Sequence, residues 1–120
     1  MTKKDERKLR DRLQNLYSRL VEDMDSLRDL DAEAKLEAGA EDSDIAELEA
    51  ERDLVHRQEW DVANKQRKVK LALERLDKGT SQICRGCRGD IPIERLFAKP
   101  YATLCVNCQR VREEMRQPHV

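Results

Sequence analysis

The four cysteines of this 120-residue chain, Cys84, Cys87, Cys105 and Cys108, form two CxxC pairs with 17 residues between them. A tetrahedral zinc ion takes four thiolates, and two tight CxxC turns can supply them in pairs. A connection of roughly 15–20 residues lets the second turn come back to face the first. The spacing therefore predicts one four-cysteine zinc site. The alternative is a set of structural or redox thiols. It is the weaker reading, because no cysteine is left over and nothing in the chain suggests export to an oxidising compartment.

Other reactive constellations are missing. No nucleophile–base pair, phosphate loop or carboxylate pair with catalytic spacing stands out, so a non-enzymatic role is expected. His56 and His119 are isolated from any third ligand. Trp60 stands off the apolar seam described below and is expected to pack against the first helix or its base.

The elements that must position the cysteines follow from composition and periodicity. The chain is 41% charged and only 3% aromatic, which suits long helices with a narrow apolar stripe better than a conventional globular core. Its N-terminus begins with charges and lacks the apolar core of a secretory signal. No apolar run approaches the roughly 18 residues of a membrane span, so a cytoplasmic, membrane-free protein is expected. The net charge of −1 conceals a polarised layout. Residues 31–53 hold ten acidic side chains against Lys35 and Arg52, while residues 62–80 and 84–120 are net basic. An acidic block of this density is either a solvated helical face or a device with a partner.

Leu9, Leu13, Leu16, Leu20, Met24, Leu27, Leu30 and Ala34 recur at steps of three and four with no interrupting Pro or Gly, which predicts a helix over about 4–38. Gly39 suits the left-handed residue after a helix end. An acidic turn over about 39–46 follows, and a second helix is expected over about 44–77. Asp44 and Glu47 have the spacing of a capping box. Leu48, Val55, Val62, Val69 and Leu76 form a seven-residue repeat, and the companion seam is polar at Arg52, Glu59 and Gln66. One apolar and one polar seam joined by a short turn predict an antiparallel coiled-coil hairpin over 1–78, with a dimeric coiled coil as the rival. Residues 79–120 form the cysteine module, too poor in apolar residues to fold without metal. It closes with a short basic helix over 109–117, near whose N-terminus the Cys108 thiolate would be favoured. The fold class expected is all-α: a coiled-coil hairpin with a small zinc finger and a C-terminal helix.

The stretch from Gly79 to Gln109 carries the two CxxC pairs, Ile91, Arg95-Leu96, Ala98, Pro100 and Leu104-Cys105. In these residues it resembles the DksA/TraR family of bacterial transcription factors. The resemblance implies a zinc finger at the base of a coiled-coil hairpin whose Asp-x-x-Asp-x-Ala tip enters the secondary channel of RNA polymerase. Here Glu41, Asp44 and Ala46 hold those tip positions, with Glu41 keeping the charge on a longer arm. Ser81-Gln82 and Arg88-Gly89 stand where the family often has Tyr-Gly before the first CxxC and Gly directly after it.

Some members also bind the alarmone ppGpp through basic residues. Lys68 and Lys99, with Arg95 as a further alarmone or polymerase contact, match such positions, but Asp61 and Gln109 replace expected basic ones. The resemblance thus implies a monomeric partner of bacterial RNA polymerase that modulates promoter-complex stability without sequence-specific DNA binding. Two rivals remain. One is a nucleic-acid-binding zinc ribbon using the arginines of the module, which the near-zero net charge opposes. The other is a redox sensor whose zinc thiolates are oxidised.

Overall fold

The computed structural model of the protein describes residues 1–37 and 45–116. Four helices account for most of them: α1 (Lys3–Glu37), α2 (Ile45–Asp77), α3 (Ile93–Ala98) and α4 (Val106–Arg116). The only extended pairing among the described residues is an isolated antiparallel bridge between Ile83 and Asp90. The fold is the all-α class expected. Gly39, Glu41 and Asp44, with the turn and the capping box they were assigned to, lie outside the described residues.

The ends of the long helices follow from local chemistry. Thr2 caps α1: its hydroxyl accepts from the Asp5 amide at 3.1 Å, and the Asp5 carboxylate accepts from the Thr2 amide at 3.2 Å. This reciprocal pair satisfies two donors that a helix start leaves unpaired. The backbone bond from Thr2, first among several contributions, holds the Asp5 carboxyl below its usual range. At the other end of α2, Gly79 takes φ +74. Its amide donates to the Leu76 carbonyl at 3.2 Å, and the Thr80 amide donates to that of Arg75 at 2.9 Å. These are the two bonds of a Schellman cap, whose left-handed residue is tolerated best by glycine.

Two compact units result: Met1–Asn15 together with Lys68–Val120, and Leu16–Arg67. In the second unit the helices run antiparallel. Gln66 Nε2 donates to the Leu20 carbonyl at 3.3 Å, and His56 Nε2 lies 3.1 Å from Asp31 Oδ1. Leu20 and Met24 are buried there, with Leu48, Val55 and Val62 of the heptad half-buried. The polar seam is covered too: Arg52 Nε and Glu59 Oε1 are shielded from solvent without a hydrogen-bond partner. Two expectations fail in this unit. Leu30 is 50% exposed and Trp60 is 63% exposed. The apolar stripe of α1 has narrowed before Leu30, and Trp60 is on the solvated side of α2.

The first unit carries most of the core. Leu9 and Leu13 of α1, Val69, Ala72 and Leu76 of α2, and Ile91, Leu96 and Ala102 of the cysteine segment are all buried. At about 25 cal/mol per Å² of apolar surface, each large side chain among these contributes roughly 1.5–3 kcal/mol. Polar links fasten the same contact. Arg10 forms a 2.6 Å ion pair with Asp77, and Arg12 donates to the Phe97 carbonyl. Lys8 stands 5.0 Å from the centre of the Phe97 ring. The start of α1 and the end of α2 are therefore the platform on which the cysteine module sits.

Candidate metal centre and the cleft beside it

The first CxxC turn is built by backbone bonds. The Cys84 amide donates to the Gly89 carbonyl at 2.8 Å, and the Arg88 amide donates back to that of Cys84 at 3.0 Å. Just outside, the Ile91 amide pairs with the Gln82 carbonyl. The second turn is joined to the first where the Arg85 amide donates to the Thr103 carbonyl at 2.9 Å. Arg95 Nε donates to the Leu104 carbonyl at 2.9 Å and so braces the segment entering Cys105.

These contacts bring the four sulfurs within 4.8 Å of one another. Cys87 Sγ lies 3.9 Å from Cys105 Sγ, close to the roughly 3.8 Å edge of a tetrahedron with 2.3 Å metal–sulfur bonds. The separation is far above the roughly 2.05 Å of a disulfide, and all four thiols are free. Amides point at the sulfurs as well: Gly86 and Cys105 donate to Cys84 Sγ at 3.3 Å each, and Gly89 donates to Cys87 Sγ at 3.4 Å. Such donors favour thiolate over thiol, as metal ligation requires. The donor set and its geometry fit one zinc ion.

The thiols divide unequally. Backbone donors, those at Cys87 and Cys105 foremost, pull the Cys84 thiol down to about 6. Cys108 is pushed up to about 12 by hydrogen bonding with the Cys105 and Cys84 thiols. The helix terminus was expected to favour the Cys108 thiolate, and the neighbouring thiols act in the opposite sense. α4 begins at Val106, three residues before the predicted start, so Cys108 does lie in its first turn. Its sulfur also faces the other sulfurs, and their thiols raise it. The cysteine segment also contains α3, a six-residue helix that buries Leu96.

Arg88 occupies the position after the first CxxC at φ +63, in the left-handed region. The backbone here retains the conformation a glycine would adopt, with an arginine holding it.

The basic residues singled out from the sequence come together. Lys68, Arg95 and Lys99 line one cleft of about 270 Å³ with Arg85, Arg112 and Arg116, and Gln109 lines it too. Arg85, Arg112 and Arg116 belong to the arginines on which the nucleic-acid-binding alternative drew, and the cleft sets them beside Lys68 and Lys99. Ala46 is exposed in the first turn of α2, while Glu41 and Asp44 are not among the described residues. No described helix is long and apolar enough to cross a membrane.

Fold and site define a helical protein carrying a four-cysteine zinc finger. Residues 79–114 match the family model of the prokaryotic dksA/traR C4-type zinc finger. A protein from Aquifex aeolicus (strain VF5), described as uncharacterized, is 43% identical over 42 residues, covering 35% of this chain and 29% of that protein. Among solved structures, the transcription factor DksA2 from Pseudomonas aeruginosa superposes with a TM-score of 0.85 at 24% identity, covering 96% of this chain and 88% of that one. The RNA polymerase binding protein and transcriptional regulator Dks from Chlamydia trachomatis L2 aligns at a TM-score of 0.44 and 20% identity, over 99% of both chains.

Proposed function

We propose that this protein is a DksA-type regulator that binds bacterial RNA polymerase and modulates the stability of promoter complexes. One observation carries the reading. A zinc finger of the dksA/traR family is fused to two long antiparallel helices, in a fold shared with DksA2 over nearly the whole chain. In this account Cys84, Cys87, Cys105 and Cys108 hold one zinc ion. The metal clamps the module against Leu9, Leu13 and Leu76 and so fixes the base from which α1 and α2 extend.

The acidic segment then carries the effector chemistry. Asp44, Ala46 and Glu41 are the residues assigned to approach the polymerase active centre through its secondary channel. Regulation arises by differential binding to conformational states of the polymerase. The cleft of Lys68, Arg95 and Lys99 has the charge to hold an anionic effector such as ppGpp. Gln109 and Asp61 weaken that prospect relative to a fully basic set.

The protein acts without sequence-specific DNA contacts, since its acidic half would repel phosphate. The test is a purified transcription assay with the Asp44→Asn, Ala46→Thr double variant. Loss of the effect on open-complex lifetime, with polymerase binding retained, supports the assignment. An unchanged effect removes these residues from the mechanism.

A further inference from the structure

A second cleft, of about 490 Å³, has as its cationic lining Arg75, Lys78, Arg85 and Arg88, against the single carboxylate of Glu74. Its volume falls in the range of ligand-binding cavities. Leu71 and Ile83 also line it and stay 48% and 40% exposed.

Two arginines of this cleft are tied into the fold, and they differ in what they leave free for a ligand. Arg88 holds a left-handed backbone at a position where glycine would carry no steric penalty, and its side chain is at the cleft. Arg75 is spent on the Thr80 and Ile83 carbonyls. Burial first, and then the charge of Arg85, lowers its proton affinity. Cys84, which also lines the cleft, acts in the opposite sense. Lys78, Arg85 and Arg88 stand beside the exposed side chains of Leu71 and Ile83 with Glu74 as the one carboxylate, a lining that suits an anionic and partly apolar ligand.

We propose that this cleft binds an acidic peptide segment of a partner protein. Its carboxylates pair with Lys78, Arg85 and Arg88, and an aliphatic side chain of the peptide rests on Leu71 and Ile83. Guanidinium forks are well matched to carboxylates. A nucleic acid fits the cleft less well. No aromatic side chain lines it for base stacking, and its exposed Leu71 and Ile83 offer a surface for an aliphatic side chain instead. The inference rests on the cleft alone and stands or falls separately from polymerase binding.

The test is a ¹⁵N NMR titration of the zinc-loaded full chain with a synthetic hexapeptide alternating leucine and glutamate. Inorganic pyrophosphate and a single-stranded oligothymidine serve as the other probes. The expected result is saturable peptide-induced shifts at Leu71, Lys78, Ile83 and Arg88. Arg88→Gly should lower peptide affinity at least fivefold while leaving zinc content and the amide spectrum of α1 and α2 unchanged. Lys78→Ser, at an exposed position, should lower it by a similar factor. Undiminished peptide affinity in both variants overturns the proposal. So do shifts confined to other surfaces, or tighter binding of pyrophosphate or oligothymidine than of the peptide.

Discussion

A β-carbon placed on Gly86 would stand 3.0 Å from Cys108 Sγ and 3.2 Å from Cys108 Cβ. The middle of the first CxxC turn is therefore packed directly against the fourth sulfur. Gly86 keeps an ordinary backbone, so only the close approach demands glycine here. Gly86→Ala must push Cys108 outward, and overpacking of this kind costs about 1–3 kcal/mol. Zinc affinity, measured by competition with a chromophoric chelator, is expected to fall roughly tenfold to a hundredfold, because 1.4 kcal/mol is a factor of ten. Gly89→Ala meets only Cys87 Sγ at 3.3 Å and should lose less.

Removing the metal should unfold one part of the chain and spare another. The module between Ile83 and Cys108 buries few large apolar side chains beyond Ile91 and Leu96, so its folding energy is largely metal-binding energy. Chelation is expected to abolish amide-exchange protection over residues 82–108. The same treatment should leave the helical exchange pattern of Leu16–Arg67 in place, since that unit has its own core of Leu20 and Met24. Equal loss of protection in both units would mean that the metal supports the entire fold.

Leu13 and Leu30 belong to one apolar repeat in the sequence but not in the structure. Leu13 is fully buried and Leu30 is 50% exposed. Leu13→Ala should cost about 2–5 kcal/mol by removing packed volume. Leu30→Ala should remain within about 0.5 kcal/mol, as at an ordinary surface position. Chemical denaturation followed by circular dichroism distinguishes the two.

The polar seam of α2 is a stability reserve. Arg52 Nε and Glu59 Oε1 are covered without partners, and unsatisfied covered polar groups are costly. Replacing both by leucine should stabilise the protein by about 1–3 kcal/mol, in line with exchanges of covered charged groups for apolar ones. Thermal unfolding of the double variant checks the sign. A lower melting temperature would mean that the seam is solvated in solution.

Much of this arrangement was legible in the residues. The leucine spacing of α1 and the heptad of α2 placed both helices to within about a residue of their observed ends, because 3.6-residue periodicity and glycine caps act locally. The cysteine spacing likewise gave the sulfur cluster. The rest depended on tertiary contacts. The start of α4 was missed because Val106 directly follows a cysteine that reads as part of a turn. α3 was missed because the burial of Leu96, far from α1 in sequence, stabilises a helix too short to show periodicity. Trp60, off the heptad seam, was expected to pack against the first helix or the hairpin base, yet its position on α2 leaves it in solvent. The effect of the neighbouring thiols on Cys108 was not legible, because it depends on how the two CxxC turns meet.

The central claim is that this zinc-finger protein works on RNA polymerase. The most direct measurement is the affinity of the purified, zinc-loaded chain for bacterial core RNA polymerase, with and without a competitor known to occupy the secondary channel. The account predicts binding at micromolar concentration or tighter, displaced by the competitor. Absence of binding at tens of micromolar, or binding indifferent to the competitor, would contradict it.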